Sequence, residues 1–536
     1  MTRTPSITVH ETHTSIPSLL NISSDELLAG LSTGLFTSVD LVNAYTQRIH
    51  NVNSKVHAVL ELNPDAHLIA TTLDGERSKG RLRGPLHGLP VLIKGNIGTL
   101  DRMQTNAGSW ALQNSTLPAD STIVTKLRDQ GLVILGKACL TEWSMIRSSN
   151  STHGWNAITG QTWGAYCEKQ CPGGSSGGSA VAADLGLAWA TIGTETDGSI
   201  ISPSERNNVV GIKPTVGLTS RHLVVPISER QDTVGPIAGT VKDAARLLHV
   251  IAGSDDNDAY TLASRHADNP PDYLKACKLE GLQGKKIGIP RNVIKALLKD
   301  CCYMMPEFET AIGTMKKAGA VTIEDADFTA FSKWQARKHN PIPSADFVVN
   351  LAQYLEKLHH NPQNIHNIHD LRTWTQNCPK EGYPRRDTAV WDGAIEEGMS
   401  QDSLEFSTVV EENEYLGGEG GILGALERHE LDAIVLPSKI AFSIPALVGS
   451  PIITVPLGVT PEGTPIQNED DWDVVETGPG IPFGISFLGH KWEEEKLIEM
   501  AYAFEQRTLV RGTLKRIIEP IADLVDMFAL AMNIGP

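Results

Sequence analysis

The stretch Gly173-Gly174-Ser175-Ser176-Gly177-Gly178-Ser179, followed at once by Ala180-Val181-Ala182-Ala183-Asp184-Leu185, decides how this chain is read. Glycine and serine alone would describe a flexible linker. A linker, however, is not continued without a break by small apolar residues that read as a packed helix. Glycines ahead of a helix let backbone amides approach a ligand closely. A phosphate-binding loop would need a Gly-Lys-Ser/Thr ending, and that lysine is missing. Taken by itself the segment leaves a catalytic loop and a structural one both open.

Two further segments bear on that choice. Upstream, Gly88-Leu89-Pro90-Val91-Leu92-Ile93-Lys94 is an apolar run that ends on a lysine, which reads as a buried strand presenting Lys94 at its end. Downstream, Gly193-Thr194-Glu195-Thr196-Asp197-Gly198-Ser199-Ile200 places a second serine, Ser199, 24 positions after Ser175 and again in a glycine turn. A serine hydroxyl is a weak nucleophile until a base takes its proton. Histidine usually supplies that base, but none stands in or beside either serine segment. Lys94 is the substitute, because burial disfavours the charged ammonium and lowers its pKa. A purely structural lysine is the alternative.

Around these segments the chain alternates helix and strand. Ser23 and Glu26 predict a capping box opening a helix, and Thr37–His50 predicts a second one. Ser121–Asp129 reads as a helix stopped by Gly131, then Leu132–Gly136 as a strand. Val209–Pro214, Leu431–Pro437, Ile452–Pro456 and Phe483–Gly489 read as further buried strands, with helices over Ile422–His429 and Glu493–Gln506. This rhythm predicts an α/β fold. Residues 265–420 are richer in His, Asn, Pro and charge, and are expected to be a variable, mostly helical insertion within one domain spanning 1–536.

Composition narrows the function. A formal net charge of -17 argues against a nucleic-acid partner, which would need a basic face. The seven cysteines are odd in number and irregularly spaced, which suggests reduced thiols and a cytoplasmic protein. Met1 to Ile22 lacks the apolar core of a secretory signal, and Asn533-Ile534-Gly535-Pro536 matches no lipidation motif. No run of about 20 apolar residues predicts a membrane span. His359, His360, His366 and His369 have no carboxylate or cysteine segment to complete a metal site, and Cys167-x-x-x-Cys171 is at most half of one. No metal and no cofactor is expected.

Together, the three segments resemble the amidase signature family. Gly-Gly-Ser-Ser-Gly-Gly matches in full at Gly173 to Gly178, the family lysine matches Lys94, and its nucleophile in Gly-Ser-Ile matches Ser199. Ala107-Gly108-Ser109, Gly136-Lys137-Ala138, Val210-Gly211-Ile212-Lys213-Pro214-Thr215 and Asp232-Thr233-Val234-Gly235-Pro236 agree as well, and the similarity spans roughly 20–260 and 420–510. The resemblance implies a central mixed, twisted β-sheet covered by helices on both sides, with 265–420 lining the substrate pocket. It implies a Ser-Ser-Lys triad: Lys94 as base, Ser175 as proton bridge held by a cis peptide at Gly174, and Ser199 as nucleophile. Backbone amides of Thr196, Asp197, Gly198 and Ser199 would hold the oxyanion, with Ser176, Thr194 and Glu195 in support.

The departures mark a subgroup. Where most of the family reads Gly-Thr-Asp-x-Gly-Gly-Ser-Ile-Arg, this chain has Glu195, Asp197 and Ile201, and Lys94 is followed by Gly95. That form is similar to a branch that includes bacterial peptide amidase, as are Val225-Pro226-Ile227-Ser228 and Gln231-Asp232. Asp197 is either a structural residue of its turn or a contact for a polar substrate group. The resemblance implies a hydrolase of linear carboxamides, with a small-molecule or peptide amide as partner and a homodimer left open. The alternatives are the A-type component of a tRNA-dependent amidotransferase, an acyl transferase or esterase on the same triad, and a silent binding protein.

Overall fold

A computed structural model describes residues 16–267, 269–299, 302–469 and 471–527. The readings of Met1 to Ile22 and of Asn533 to Pro536 fall partly or wholly outside them. Eleven strands form one sheet: β1 Val59–Leu62, β2 Pro90–Lys94, β3 Val133–Ala138, β4 Ala190–Glu195, β5 Val210–Lys213, β6 Thr233–Ala238, β7 Lys286–Gly288, β8 Val321–Ile323, β9 Ala433–Pro437, β10 Ile452–Val459 and β11 Pro482–Leu488. Their order across the sheet is β1-β3-β2-β4-β6-β5-β10-β11-β9-β7-β8. β2 runs parallel to both β3 and β4, whereas β4, β6, β5, β10, β11 and β9 pair antiparallel in succession, so the sheet is mixed.

Every residue of β2, β3, β4, β5, β6, β9 and β11 is buried. Successive strand residues point to opposite faces, so full burial means that helices cover both. This is why 90–93 of β2 and the whole of β9 read as continuous apolar runs rather than alternating ones. The capping box at Ser23 and Glu26 is present, and Thr37 with Asp40 caps the helix Ser38–Val56 in the same way. Among the described residues no helix is long and apolar enough to cross a membrane.

Residues 265–420 hold the helices Met305–Lys317, Ile342–Glu356, Ile368–Asn377, Ala389–Glu397 and Leu404–Gly417. They also supply β7 and β8, which extend the sheet in parallel from β9 and which no apolar run in the sequence announced. Phe308, Ile312 and Met315 join the main core with the sheet residues. The helices Ile342–Glu356, Ile368–Asn377 and Ala389–Glu397 instead build a second core, in which Phe347, Leu351, Leu371 and Trp391 enclose Ala107, Leu112, Trp143 and Leu223. Trp143 meets Phe347 and Trp391 edge-on, with ring centroids 6.4 and 5.8 Å apart.

Candidate active site

The parallel neighbours β2 and β4 end side by side, and the candidate residues gather where they end. Sites outside the carboxyl ends of parallel strands are the general arrangement in α/β sheets. Register pairs Ile93 with Ile192, so the last residue of β2, Lys94, points its amine at the end of β4. Lys94 Nζ lies 2.7 Å from Ser175 Oγ, 2.9 Å from Thr194 Oγ1 and 3.1 Å from the Thr194 carbonyl oxygen. Asn96 Nδ2 donates to the same Thr194 hydroxyl at 3.0 Å.

The glycine loop leads into the helix Gly177–Asp184 and is stitched to β4 by Ser176. Its hydroxyl donates to the Thr194 carbonyl at 3.0 Å and receives the Thr194 amide at 3.3 Å. The Ser176 amide donates to the carbonyl of Ser199 at 3.1 Å, which draws the Ser199 backbone against the Ser175 loop. The Gly174–Ser175 peptide is cis. A Cβ on Gly174 would fall 2.8 Å from His153 and from Met145, so the loop has no room for a larger residue there.

Burial separates the three candidate groups. Lys94 and Ser175 are fully enclosed, whereas Ser199 keeps 7% exposure. Enclosure pulls the Lys94 ammonium down to about 7, because lost hydration outweighs the attraction of Glu195 and Asp232. A buried lysine near 7 is poised to exchange a proton at neutral pH. Lys137 is brought to a similar value by the same cause, but its amine binds the Ile97 carbonyl and Thr105 and touches no serine of the site.

Glu195 shapes the turn that carries Ser199. Its carboxylate accepts the amides of Ile200 and Ile201 at 2.6 and 2.9 Å, and the Gly198 amide also faces it. Burial raises its pKa, opposed by the buried Lys213 and by these amides. The amides of Thr196, Asp197 and Ser199 find no acceptor among the described residues. Gly198 adopts φ +80 beneath Phe442, a conformation a side chain would strain. Asp197 is exposed, and its carboxylate accepts the Ser443 hydroxyl at 3.0 Å. Thr196 donates to Asp232 at 2.6 Å, and Asp232 also takes the amides of Ile227 and Ser228.

Chain positions 141–147 complete the wall and had no signal in the sequence. The Thr141 amide donates to the Ser175 carbonyl at 2.9 Å. Trp143, Ser144 and Met145 all hold positive φ, at 49, 52 and 76. Such conformations cost about 1–3 kcal/mol each outside glycine and persist where surroundings over-determine them. The second core supplies that constraint through Trp143. A cleft of about 270 Å³ is lined by Asp197 and Ser443 together with Trp334, Arg337, Lys338 and His339. His359 and His360 lie against Thr116 through backbone bonds, and His366 and His369 are exposed.

The amidase family profile matches residues 40–498. The chain belongs to the amidase family. It is similar to a protein of Arthroderma benhamiae named, without a stated substrate, as an amidase: 52% identity over 530 residues, covering 94% of this chain and 88% of the relative. It superposes on the peptide amidase of Stenotrophomonas maltophilia with a TM-score of 0.81 at 37% identity, over 93% of this chain and 98% of that one. The A-type component of a glutamyl-tRNA(Gln) amidotransferase from Alkaliphilus metalliredigens is 30% identical, over 88% of this chain and 93% of the relative. This amidase is thus a hydrolase of carbon–nitrogen bonds on the amidase signature fold, as the resemblance implied.

Proposed function

We propose that the chain hydrolyses linear carboxamides, peptide C-terminal amides among them, through an acyl-enzyme on Ser199. The observation that carries this reading is the fully buried Lys94 amine, ionising at about 7, at 2.7 Å from Ser175. Neutral Lys94 accepts the Ser175 proton while Ser175 takes the proton of Ser199. The Ser199 oxygen then bonds to the amide carbon. Charge builds on the carbonyl oxygen, for which the amides of Thr196, Asp197 and Ser199 are the available donors. An amide anion is too basic to leave, so the relay returns its proton to nitrogen as the C–N bond breaks, releasing ammonia or an amine. Water, deprotonated along the same path, attacks the ester and releases the acid.

The cleft beside Asp197 is the proposed seat of the substrate's polar end, with residues 334–340 of the 265–420 stretch as one wall. The likeness to a peptide amidase favours peptide amides, while the likeness to an amidotransferase component favours delivery of ammonia to a partner. Ammonia release by the purified chain alone, across peptide amides, aryl amides and fatty amides, separates the two. Turnover of peptide amides without any partner is the expected result. A fluorophosphonate should label Ser199, and Ser199→Ala should abolish both turnover and labelling with the fold intact. Labelling at another serine would remove Ser199 from the role.

A further inference from the structure

A second cluster of reactive side chains lies against Gly174 of the Ser175 loop. Four residues before Ser175, Cys171 is fully buried. Its backbone is pinned to a hairpin, the Cys171 amide donating to the Val475 carbonyl at 2.9 Å. That hairpin pairs Gln467 with Thr477 and Asn468 with Val475, which brings Glu469 and Glu476 to the same place. His153 arrives from a third segment, its Nδ1 3.1 Å from Glu469 Oε1 and its amide 3.1 Å from Glu469 Oε2. One ligand atom from each of His153, Cys171, Glu469 and Glu476 lies within 4.8 Å of all the others.

We propose that His153, Cys171, Glu469 and Glu476 form a binding site for a divalent cation of the zinc class. Sulfur, imidazole nitrogen and carboxylate oxygen together are the donor set that zinc and cobalt accept, whereas calcium and magnesium ask for oxygen throughout. Ligands at about 2.0–2.3 Å from a tetrahedral ion stand roughly 3.3–3.8 Å apart, so the cluster needs to contract by about 1 Å. The side chains can do so, since His153 and Glu476 are about one-third exposed while Cys171 is fixed at the floor.

Charge and support are also in place. A thiolate and two carboxylates exceed the charge of one divalent ion by one negative charge. Arg206 and Lys439, 3.1 and 3.4 Å from Glu476 Oε1, offset that excess and leave Oε2 to the ion. Such outer partners orient metal ligands in known sites. The Gly173 amide reaches Cys171 Sγ at 3.4 Å, a donor for a thiolate. The place of the cluster gives it consequence: the His153 ring borders Gly174, so an ion here ties the hairpin 467–477 to the loop that carries Ser175. This assignment stands apart from the relay and does not depend on it.

The test is titration of the full-length, metal-free, reduced chain with Co2+, read by absorbance. One equivalent should give the visible bands of a tetrahedral ion together with a thiolate-to-cobalt charge-transfer band. One equivalent of Zn2+ should remove both, and excess Mg2+ should not. Cys171→Ser should lose the charge-transfer band, while Cys167→Ser, a neighbouring thiol, should keep it. His153 is partly exposed and its loss should not unfold the chain; His153→Ala should weaken binding at least about tenfold, the smaller effect seen even for outer partners of metal ligands. No saturable uptake would overturn the site. So would uptake without a charge-transfer band, or spectra unchanged in both Cys171→Ser and His153→Ala.

Discussion

Lys94 ionises near neutrality because nothing around it replaces the water it has lost: its neighbours are two hydroxyls and a carbonyl, and the carboxylates of Glu195 and Asp232 act from further off. In the proposed relay the neutral amine acts as base, and its share grows as pH rises through about 7. The kcat/KM of amide hydrolysis should therefore rise through an acid limb near that value and then level. Lys94→Arg keeps the charge at every working pH and should lower turnover by about 10²–10⁴-fold, the usual contribution of a positioned base. A profile flat across neutrality would exclude Lys94 from proton transfer. At this scale the sequence was informative, since the segments it singled out around Lys94 and Ser175 meet at 2.7 Å. Their partners were not legible. Nothing near Asp197 announces Ser443, and no spacing rule joins Thr141 to Ser175, because these contacts exist only once the sheet has ordered its strands.

Among the elements, the segment 379–387 and the loop 141–147 are joined by one buried cation. Arg147 donates to Glu142, to Glu381 at 2.9 Å, and to the carbonyls of Glu381 and Arg386 at 2.9 Å each. Removing one partner of such a group strands the others, at a cost of about 3–5 kcal/mol. Arg147→Met should lose that much in chemical denaturation. The loss should shrink as pH falls, because burial and the nearby Glu381 already hold the Glu142 carboxyl well above its ordinary range. A carboxyl whose folded pKa is raised binds its proton more tightly when folded, so acid favours the folded variant. A gap between variant and parent that widens toward low pH would refute the account. Strand length explains which elements the sequence revealed. β9 is an unbroken apolar run, and β2 and β3 open on one at 90–93 and 133–135, but β7 and β8 have three residues each in polar surroundings, and β4 carries Thr191, Gly193 and Thr194.

Taken whole, the molecule supports its site from two cores of unequal standing. The larger one packs the helices onto the sheet and fixes Lys94 and the end of β4. The smaller holds Trp143, and through it the three left-handed residues that precede His153 and back onto the Ser175 loop. Regions with less buried apolar contact open at lower free energy than the global unfolding. Activity should therefore disappear at a lower denaturant concentration than the sheet's far-ultraviolet signal. Trp391→Ala should widen that interval. Truncating a buried tryptophan costs about 3–5 kcal/mol, and here the cost falls on the smaller core, where Trp391 is stacked on Phe347 with ring centroids 6.4 Å apart. The sheet midpoint should move little, while Ser199 labelling and amide turnover should fade together at the lower midpoint. Were turnover and the sheet signal to vanish at one midpoint in both proteins, the two cores would form a single cooperative unit, and the 342–397 helices would support the site no differently from the rest of the fold.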